Sequence, residues 1–511
     1  MAPSAAPAAA QSAAASANGT ANAAGFAGFA KAQPGSSARA AGANLDVAAM
    51  LSEAARTRPP SAIRSLFPAE LLPGMLSFLA GKPNPQTFPL SAITLTVAPA
   101  PGASAPVDVP ISGAALAAGM QYGPTNGIRE LNEWLVKWQE RIHRRACPAV
   151  GTTARPGAGN WRVTIGQGSQ DLLTKTFTAL LNPGDSALIE SPAYTGILPQ
   201  LSTLKANLAP VASDAEGMCP KSLRSILASW HTSPATRSHP FPKFVYTTPT
   251  GANPAGTTAS EQRKREVLAV VREYGVLLLE DDPYIFLGFE GLGEDPVTRD
   301  RGRSYFSLET DGREQAGDGF VARFDSFSKI IGGGLRIGVL TGPTALVDAV
   351  DLDTSSANLQ PSGVAQAILL ALLQHWGQDG LLQHVDRVAS FYRDRRDAFE
   401  QHAHAILGSQ GGQKAVAEWV KPVAGMFLWL RLKLPPAEGA PDGDSFALIS
   451  EKAKAAGVLA VPGVAFMPDG SKTPYVRTSF SIIDEKDVAE AMRRLRSVVE
   501  NAWAEQGLEL P

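Results

Sequence analysis

The residues of this chain with the clearest chemical potential are a lysine behind two serines, a glycine-rich bend, and an arginine seven residues on. Asp325-Ser326-Phe327-Ser328-Lys329 runs into Ile330-Ile331-Gly332-Gly333-Gly334-Leu335 and then Arg336. A desolvated lysine amine gives up its proton and becomes a nucleophile that condenses with an aldehyde. Ser326, Ser328 and Arg336 are the donors a phosphate calls for, and glycines let the backbone come close to one. An aldehyde that also carries a phosphate satisfies both halves, so the stretch reads as a site for pyridoxal 5′-phosphate. Taken alone, the same residues also fit a solvated lysine beside a turn.

Four other segments add groups of the right kind. Gly168-Ser169-Gln170 opens a predicted helix, whose first N–H groups and dipole suit a phosphate, although a serine there is also an ordinary cap. Ser191-Pro192-Ala193-Tyr194 offers a ring that can lie on a pyridine face. Pro249-Thr250-Gly251-Ala252-Asn253-Pro254 sets an amide in a turn, and Asn before Pro is also a plain turn signal. Asp281-Asp282-Pro283-Tyr284 follows an apolar run. A carboxylate there can pair with a pyridine nitrogen and keep it protonated, so that the ring accepts electrons. Tyr284 can donate to the ring oxygen. An acidic loop capping a strand is the other reading of that segment.

These groups all follow predicted strands. Short apolar runs at 161–165, 186–190, 244–248, 276–280, 321–325 and 336–341 alternate with helical patterns such as 169–181 and 261–274. That alternation predicts an α/β fold with a mostly parallel sheet, whose ligands bind beyond the carboxyl ends of the strands. Beyond residue 346 a long helical region to about 407, strands at 426–432 and 475–480 and a helix at 446–456 predict a smaller α+β domain. The division expected is a segment 1–44, an arm with part of the small domain at 45–111, a large cofactor-binding domain at 112–345 and the small domain at 346–511.

Composition narrows the class. A chain of 511 residues, 44% hydrophobic, can bury one large core or two smaller ones. A net charge of -2 provides no general attraction for nucleic acid or an anionic membrane. Cys147 and Cys219 cannot build a disulfide framework and match no zinc spacing, and the seven histidines show no ligand pattern, so no metal is expected. No apolar run reaches the ~20 residues of a membrane span. A soluble, cytoplasmic protein is expected. Residues 1–44 are rich in Ala, Ser and Gly, with Lys31 and Arg39 the only charged residues, and read as disordered. A mitochondrial targeting segment is the alternative, though it is thin in arginine.

Over residues 63–496 the chain resembles a class I, fold-type-I pyridoxal-phosphate aminotransferase. Within that class it is similar to the 2-aminoadipate/kynurenine aminotransferases and the fungal aromatic aminotransferases. The stretches that carry the resemblance are Gly81-Lys82-Pro83-Asn84-Pro85, residues 121–127, 164–170, 190–196, 253–256, 280–284, 325–338, 424–429 and 475–481. It implies a seven-stranded, mostly parallel sheet between helices, with a smaller α+β domain. The activity it implies is ping-pong transamination of 2-aminoadipate, kynurenine or an aromatic amino acid, with 2-oxoglutarate as acceptor, through a Lys329 Schiff base.

The resemblance also implies residue roles. Lys329 would bind the cofactor aldehyde and shuttle the proton. Asp281, rather than Asp282, would pair with the ring nitrogen, while Asn253 and Tyr284 bond the ring oxygen and Tyr194 stacks on the ring. Ser169, Gln170, Ser326, Ser328 and Arg336 would hold the phosphate. Arg477 would clamp the substrate carboxylate in a pocket shared with Asn253, Gly81 and Tyr194. Tyr122 would reach the phosphate of a neighbouring subunit, which requires a homodimer. Gly332-Gly333-Gly334 departs from the more usual serine-containing bend, which would loosen the loop beside the phosphate. The stretch 290–318 reads as a surface insertion of no assignable function. A lyase or decarboxylase of the same fold would use the same Lys329 and Asp281, but a clamped carboxylate argues against it. A pyridoxal-phosphate-binding transcription regulator would need a basic helix-turn-helix that residues 1–44 do not supply.

Overall fold

The computed structural model describes residues 44–79, 81–99, 105–147, 149–150, 153–154, 161–311, 319–409 and 413–511. The expectation for 1–44 falls outside them except at Asn44. The surface insertion expected at 290–318 is described over 290–311 and is corrected there: Tyr305, Phe306 and Leu308 are buried in a large-domain core, so this part is not a surface excursion.

Seven strands make the main sheet: β1 (Trp161–Gly166), β2 (Ser186–Ser191), β3 (Asn207–Asp214), β4 (Phe244–Thr247), β5 (Leu277–Asp281), β6 (Val321–Ser326) and β7 (Gly338–Pro343). Their order across the sheet is β1-β7-β6-β5-β4-β2-β3, with a two-residue strand, Gly217–Met218, beyond β3. β7 runs antiparallel to both neighbours, and the links from β6 through β5, β4 and β2 to β3 are parallel. β5 is buried along its whole length, as a central parallel strand covered on both faces must be. The expected large, mostly parallel sheet holds, and the two-residue strand makes an eighth member beside the seven expected. β3 is the one strand of the seven that corresponds to none of the predicted apolar runs.

Helices cover both faces. Ser169–Leu180 turns Leu172, Leu173, Thr176, Phe177 and Leu180 inward at helical spacing. Glu261–Tyr274 starts where Ser260 Oγ accepts from Arg263 N at 3.2 Å and stops at Gly275, which takes a positive φ of 69°. Leu188, Val245 and Leu278 point into one core, while Ile189, Tyr246 and Leu279 point into the other, as alternation along a strand requires.

A second sheet is antiparallel throughout, in the order β8 (Ala417–Glu418), β9 (Phe427–Leu432), β11 (Tyr475–Ser479), β10 (Val461–Pro462). Leu428, Leu430 and Leu432 of β9 join a separate core with Val488, Met492 and Leu495 of the terminal helix Glu485–Glu505. Phe427 points the other way and joins a large-domain core. The helix Gly363–Leu407 serves both bodies: Leu369, Leu373 and Leu382 pack in a large-domain core, Phe399, Ala403 and Leu407 in the small one. Gly377, at φ 63°, breaks its regularity. No helix among the described residues is long and apolar enough to cross a membrane.

Candidate active site

The ends of β1, β2, β4, β5 and β6 converge with the small sheet on a cavity of about 380 Å³. Lys329 stands in it, in the short helical turn Phe327–Lys329 that follows β6. Its amine is held below the usual lysine range, first by burial and then by the positive charges of Arg336 and Arg477, with Asp281 opposing. A lysine so placed has more of its population as free amine.

Period-two alternation separates the two candidate carboxylates. Leu279 lies beside Tyr246 in the ladder, and Glu280 beside Thr247 and Arg323. Arg323, fully buried on β6, pairs with Glu280 at 3.0 Å, Asp282 at 3.2 Å and Asp325 at 2.7 Å. Asp282 is thereby drawn to the arginine and to Thr250 Oγ1, which donates at 3.2 Å. Asp281 instead lines the cavity. Its Oδ2 accepts from the Tyr246 hydroxyl at 2.6 Å, and its buried Oδ1 has no partner. Burial chiefly pushes the Asp281 carboxyl up to about 7, with Asp282 adding to the effect and the Tyr246 bond opposing it.

One end of the cavity is built for an anion. Gly168, at φ 86°, precedes the helix that Ser169 opens, and the Arg336 guanidinium occupies the space a Cβ there would need. Arg336 itself has a left-handed φ of 52°. It donates from Nη1 to Gly333 O at 3.2 Å and Ser328 Oγ at 3.4 Å, and from Nη2 to Gln167 O at 3.3 Å. Ser326 Oγ accepts from Ser328 N at 3.2 Å. Gln170 donates to Gly196 O at 2.7 Å and leaves its Oε1 buried without a partner. A Cβ on Gly332, Gly333 or Gly334 would meet nothing within 4 Å, so this bend has room for the serine it lacks.

The middle and far ends carry the other groups. Tyr194 lies along Gly196, where any side chain would collide with its ring. Tyr284 is buried edge-on to Phe427 with centroids 6.1 Å apart, and burial raises its hydroxyl well above the usual range. Arg477 reaches in from β11 and donates from Nη1 to Asn253 Oδ1 at 2.8 Å. Its guanidinium lies over the rings of Phe427 and Phe466, 4.6 and 5.0 Å from their centroids. Its Nε is buried and unpartnered. Burial lowers its pKa, with Tyr284 and Tyr194 opposing.

Eleven of the thirteen residues singled out above therefore line one cavity: Ser169, Gln170, Tyr194, Asn253, Asp281, Tyr284, Ser326, Ser328, Lys329, Arg336 and Arg477. Gly81 and Tyr122 do not. They lie in adjoining loops that Gln121 Nε2 ties together through Pro83 O at 2.7 Å, and the Tyr122 ring is half exposed. Sequence reasoning missed Tyr246, Thr248, Phe427 and Arg323 as site residues. Strict alternation along 244–248 could have put Tyr246 and Thr248 on one face.

The donor set fits pyridoxal 5′-phosphate. The orphaned Asp281 Oδ1 would accept from a protonated pyridine nitrogen, the Arg336 end would take the phosphate, and the amine of Lys329 lies in the same cavity.

The family model described as aminotransferase class I and II matches residues 115–495. A protein of Emericella nidulans named aminotransferase tdiD is 42% identical over 441 residues, covering 86% of this chain and 93% of its own. The mitochondrial kynurenine/alpha-aminoadipate aminotransferase of Bos taurus is 34% identical over 466 residues, 90% of this chain and all of its own. The crystal structure of the aromatic aminotransferase Aro9 from C. albicans superposes with a TM-score of 0.75 at 25% identity, over 91% of this chain and 99% of that one.

Proposed function

The chain belongs to the aminotransferase class I and II family, and from that premise we propose that it moves the amino group of an aromatic amino acid, kynurenine or 2-aminoadipate to 2-oxoglutarate, with pyridoxal 5′-phosphate held around Lys329. The relatives named for kynurenine, aminoadipate and aromatic amino acids support the donor class. The observation that carries the proposal is the unpartnered Asp281 Oδ1 in the same cavity as the Lys329 amine.

When bound, the cofactor supplies an aldehyde for amines and a protonated pyridine ring that stores the electron pair left by a departing proton. The chain's own groups do the rest. Ser169, Gln170, Ser326, Ser328 and Arg336 bind the phosphate with charge-assisted bonds. Asp281 keeps a proton at the pyridine nitrogen. Arg477 occupies Asn253 Oδ1, so the amide's Nδ2 is the donor that remains for the ring oxygen, together with the Tyr284 hydroxyl. Tyr194 covers the ring face.

Lys329 would hold the cofactor aldehyde, and its amine, freed, would take the proton from the substrate Cα. Acid–base work by one placed group of this kind contributes about 10²–10⁴-fold. Arg477 holds the substrate α-carboxylate on its forked guanidinium, which keeps that carboxylate attached while the Cα proton leaves.

One apolar surface and the position of Tyr122 support a homodimer. In the segment 63–90, Leu76 is 89% exposed and Phe78 fully so, beside exposed Ile63, Leu66, Leu72 and Met75. Apolar surface on that scale is covered by a second copy of the chain. Tyr122, outside its own cavity, then extends to the phosphate bound by that copy.

The visible spectrum of the purified protein tests the reading. A cofactor band should collapse when 2-aminoadipate, kynurenine or phenylalanine is added and return with 2-oxoglutarate. A protein that stays colourless with added pyridoxal phosphate would overturn it.

A further inference from the structure

Tyr246 sits behind the cavity and is not among the residues that line it. It lies on β4, 1% exposed, with its ring in the apolar core that also holds Phe244, Leu279 and Phe324. Phenylalanine would fill that space equally well, so packing does not account for the hydroxyl. The hydroxyl donates to Asp281 Oδ2 at 2.6 Å, a length typical of an O–H bond to a charged oxygen. Its oxygen also lies 3.4 Å from Thr248 Oγ1. Among the described residues it is the one hydrogen-bond donor to this carboxylate, and the partner oxygen, Oδ1, is left over.

A carboxyl group turns about its Cβ–Cγ bond, and without an anchor both oxygens would compete for whatever approaches from the cavity. We propose that Tyr246 is a positioning residue that locks Asp281 in the one rotation presenting Oδ1 to a cofactor ring nitrogen. The inference rests on reading the cavity as a pyridoxal-phosphate site. Burial keeps the Tyr246 hydroxyl protonated, so it is a permanent donor. Asp282 and Asp325 bear on Asp281 from the strand side with Arg323 opposing them, and Lys329, Tyr194 and Tyr284 face it from the cavity. None of these supplies a second hydrogen bond to it.

Removing the hydroxyl makes the Asp281 carboxylate a stronger base and loosens its aim. The ring proton is then held more by the carboxylate and less by the ring. The ring draws less charge from the nitrogen that joins it to Lys329, and that nitrogen becomes more basic. The test loads wild type and Tyr246→Phe with pyridoxal phosphate and reads the visible band against pH, together with the cofactor dissociation constant. The variant should fold, with a lower melting temperature than wild type, and bind cofactor about tenfold more weakly, the factor one bond to a charged group is worth. Its spectral midpoint should move up. kcat should fall with the donor KM nearly unchanged, because Tyr246 meets no substrate. A second protein carries 3-fluorotyrosine in place of Tyr246, which keeps the shape and strengthens the donor. Its midpoint should move down, and this protein decides the question if Tyr246→Phe does not fold. Midpoints and affinities identical to wild type overturn the positioning role and leave the cofactor reading standing. A wild type that forms no band overturns the cofactor reading itself.

Discussion

Arg477 Nη1 donates to Asn253 Oδ1 at 2.8 Å, joining a strand of the small sheet to the turn after β4 of the large one. One contact thus aligns the proposed carboxylate clamp with the proposed donor to the ring oxygen. Arg477→Ala should raise KM for both donor and acceptor about 10- to 100-fold, the range for losing bonds to a charged group. Arg477→Lys should recover little of it, because an ammonium cannot form the fork. Both variants should still bind cofactor, and the spectral midpoint of Arg477→Ala should move up, because the Arg477 charge also bears on Lys329. Steady-state kinetics with normal KM values in Arg477→Ala would remove the clamp from the mechanism.

Lys329 is the one amine in the cavity, and burial together with Arg336 and Arg477 favours its unprotonated form. Lys329→Ala should retain the phosphate-binding groups and hence bind cofactor, but show no multiple turnover. Rapid mixing with donor followed by product analysis checks this. Sustained turnover by the variant is the outcome that sinks the assignment.

Gly168 combines φ 86° with ψ 162°, a region essentially closed to other residues, and Arg336 fills the place of its missing side chain. Gly168→Ala should therefore lose about 1–3 kcal/mol of stability and displace Arg336 from the anion end. Thermal melts and a fluorescence titration with pyridoxal phosphate should show both effects together. Full cofactor affinity with only the stability loss would mean that Arg336 does not hold the phosphate.

The cavity was legible in the sequence because polar residues directly after apolar runs interrupt the pattern that buried strands impose. Lys329, Asp281, Asn253 and Ser169 stand out in that way. β3 was not legible, since Asn207-Leu208-Ala209-Pro210 has no apolar run and carries a proline, which a strand tolerates near a sheet edge. Tyr246 looks like any core aromatic until the ladder puts its hydroxyl against Asp281. The positions of Gly81 and Tyr122 depend on contacts far apart in the chain, such as Gln121 to Pro83, which no local pattern encodes.

Arg323 is the only positive charge in direct contact with Glu280, Asp282 and Asp325 together among the described residues, and all but Asp325 are fully buried. Arg323→Met would leave carboxylates in a dry sheet without their counter-charge. A loss of about 3–5 kcal/mol is expected, seen as a lower urea midpoint at pH 8 that recovers partly at pH 5 as carboxyls protonate. A pH-independent loss would point to packing instead.

Asp281 gives a pH signature in the cofactor-free protein. Its folded-state pKa is raised to about 7 from an ordinary 3.8, so the folded protein binds this proton more tightly than the unfolded chain does. Well below pH 3.8 the group is protonated in both states and makes no difference. As pH rises towards 7 the unfolded chain ionises freely while the folded one resists, and stability falls by an amount that reaches about 4 kcal/mol above pH 7. Asp281→Asn cannot ionise and escapes this loss. Urea melts of the two cofactor-free proteins should therefore diverge between pH 5 and pH 8, with the variant gaining about 2–3 kcal/mol on wild type over that interval. Loading wild type with pyridoxal phosphate should abolish the divergence, because a protonated ring nitrogen gives the buried anion its partner. Parallel pH curves for the two cofactor-free proteins would mean that Asp281 ionises normally and is not the group that holds the ring proton.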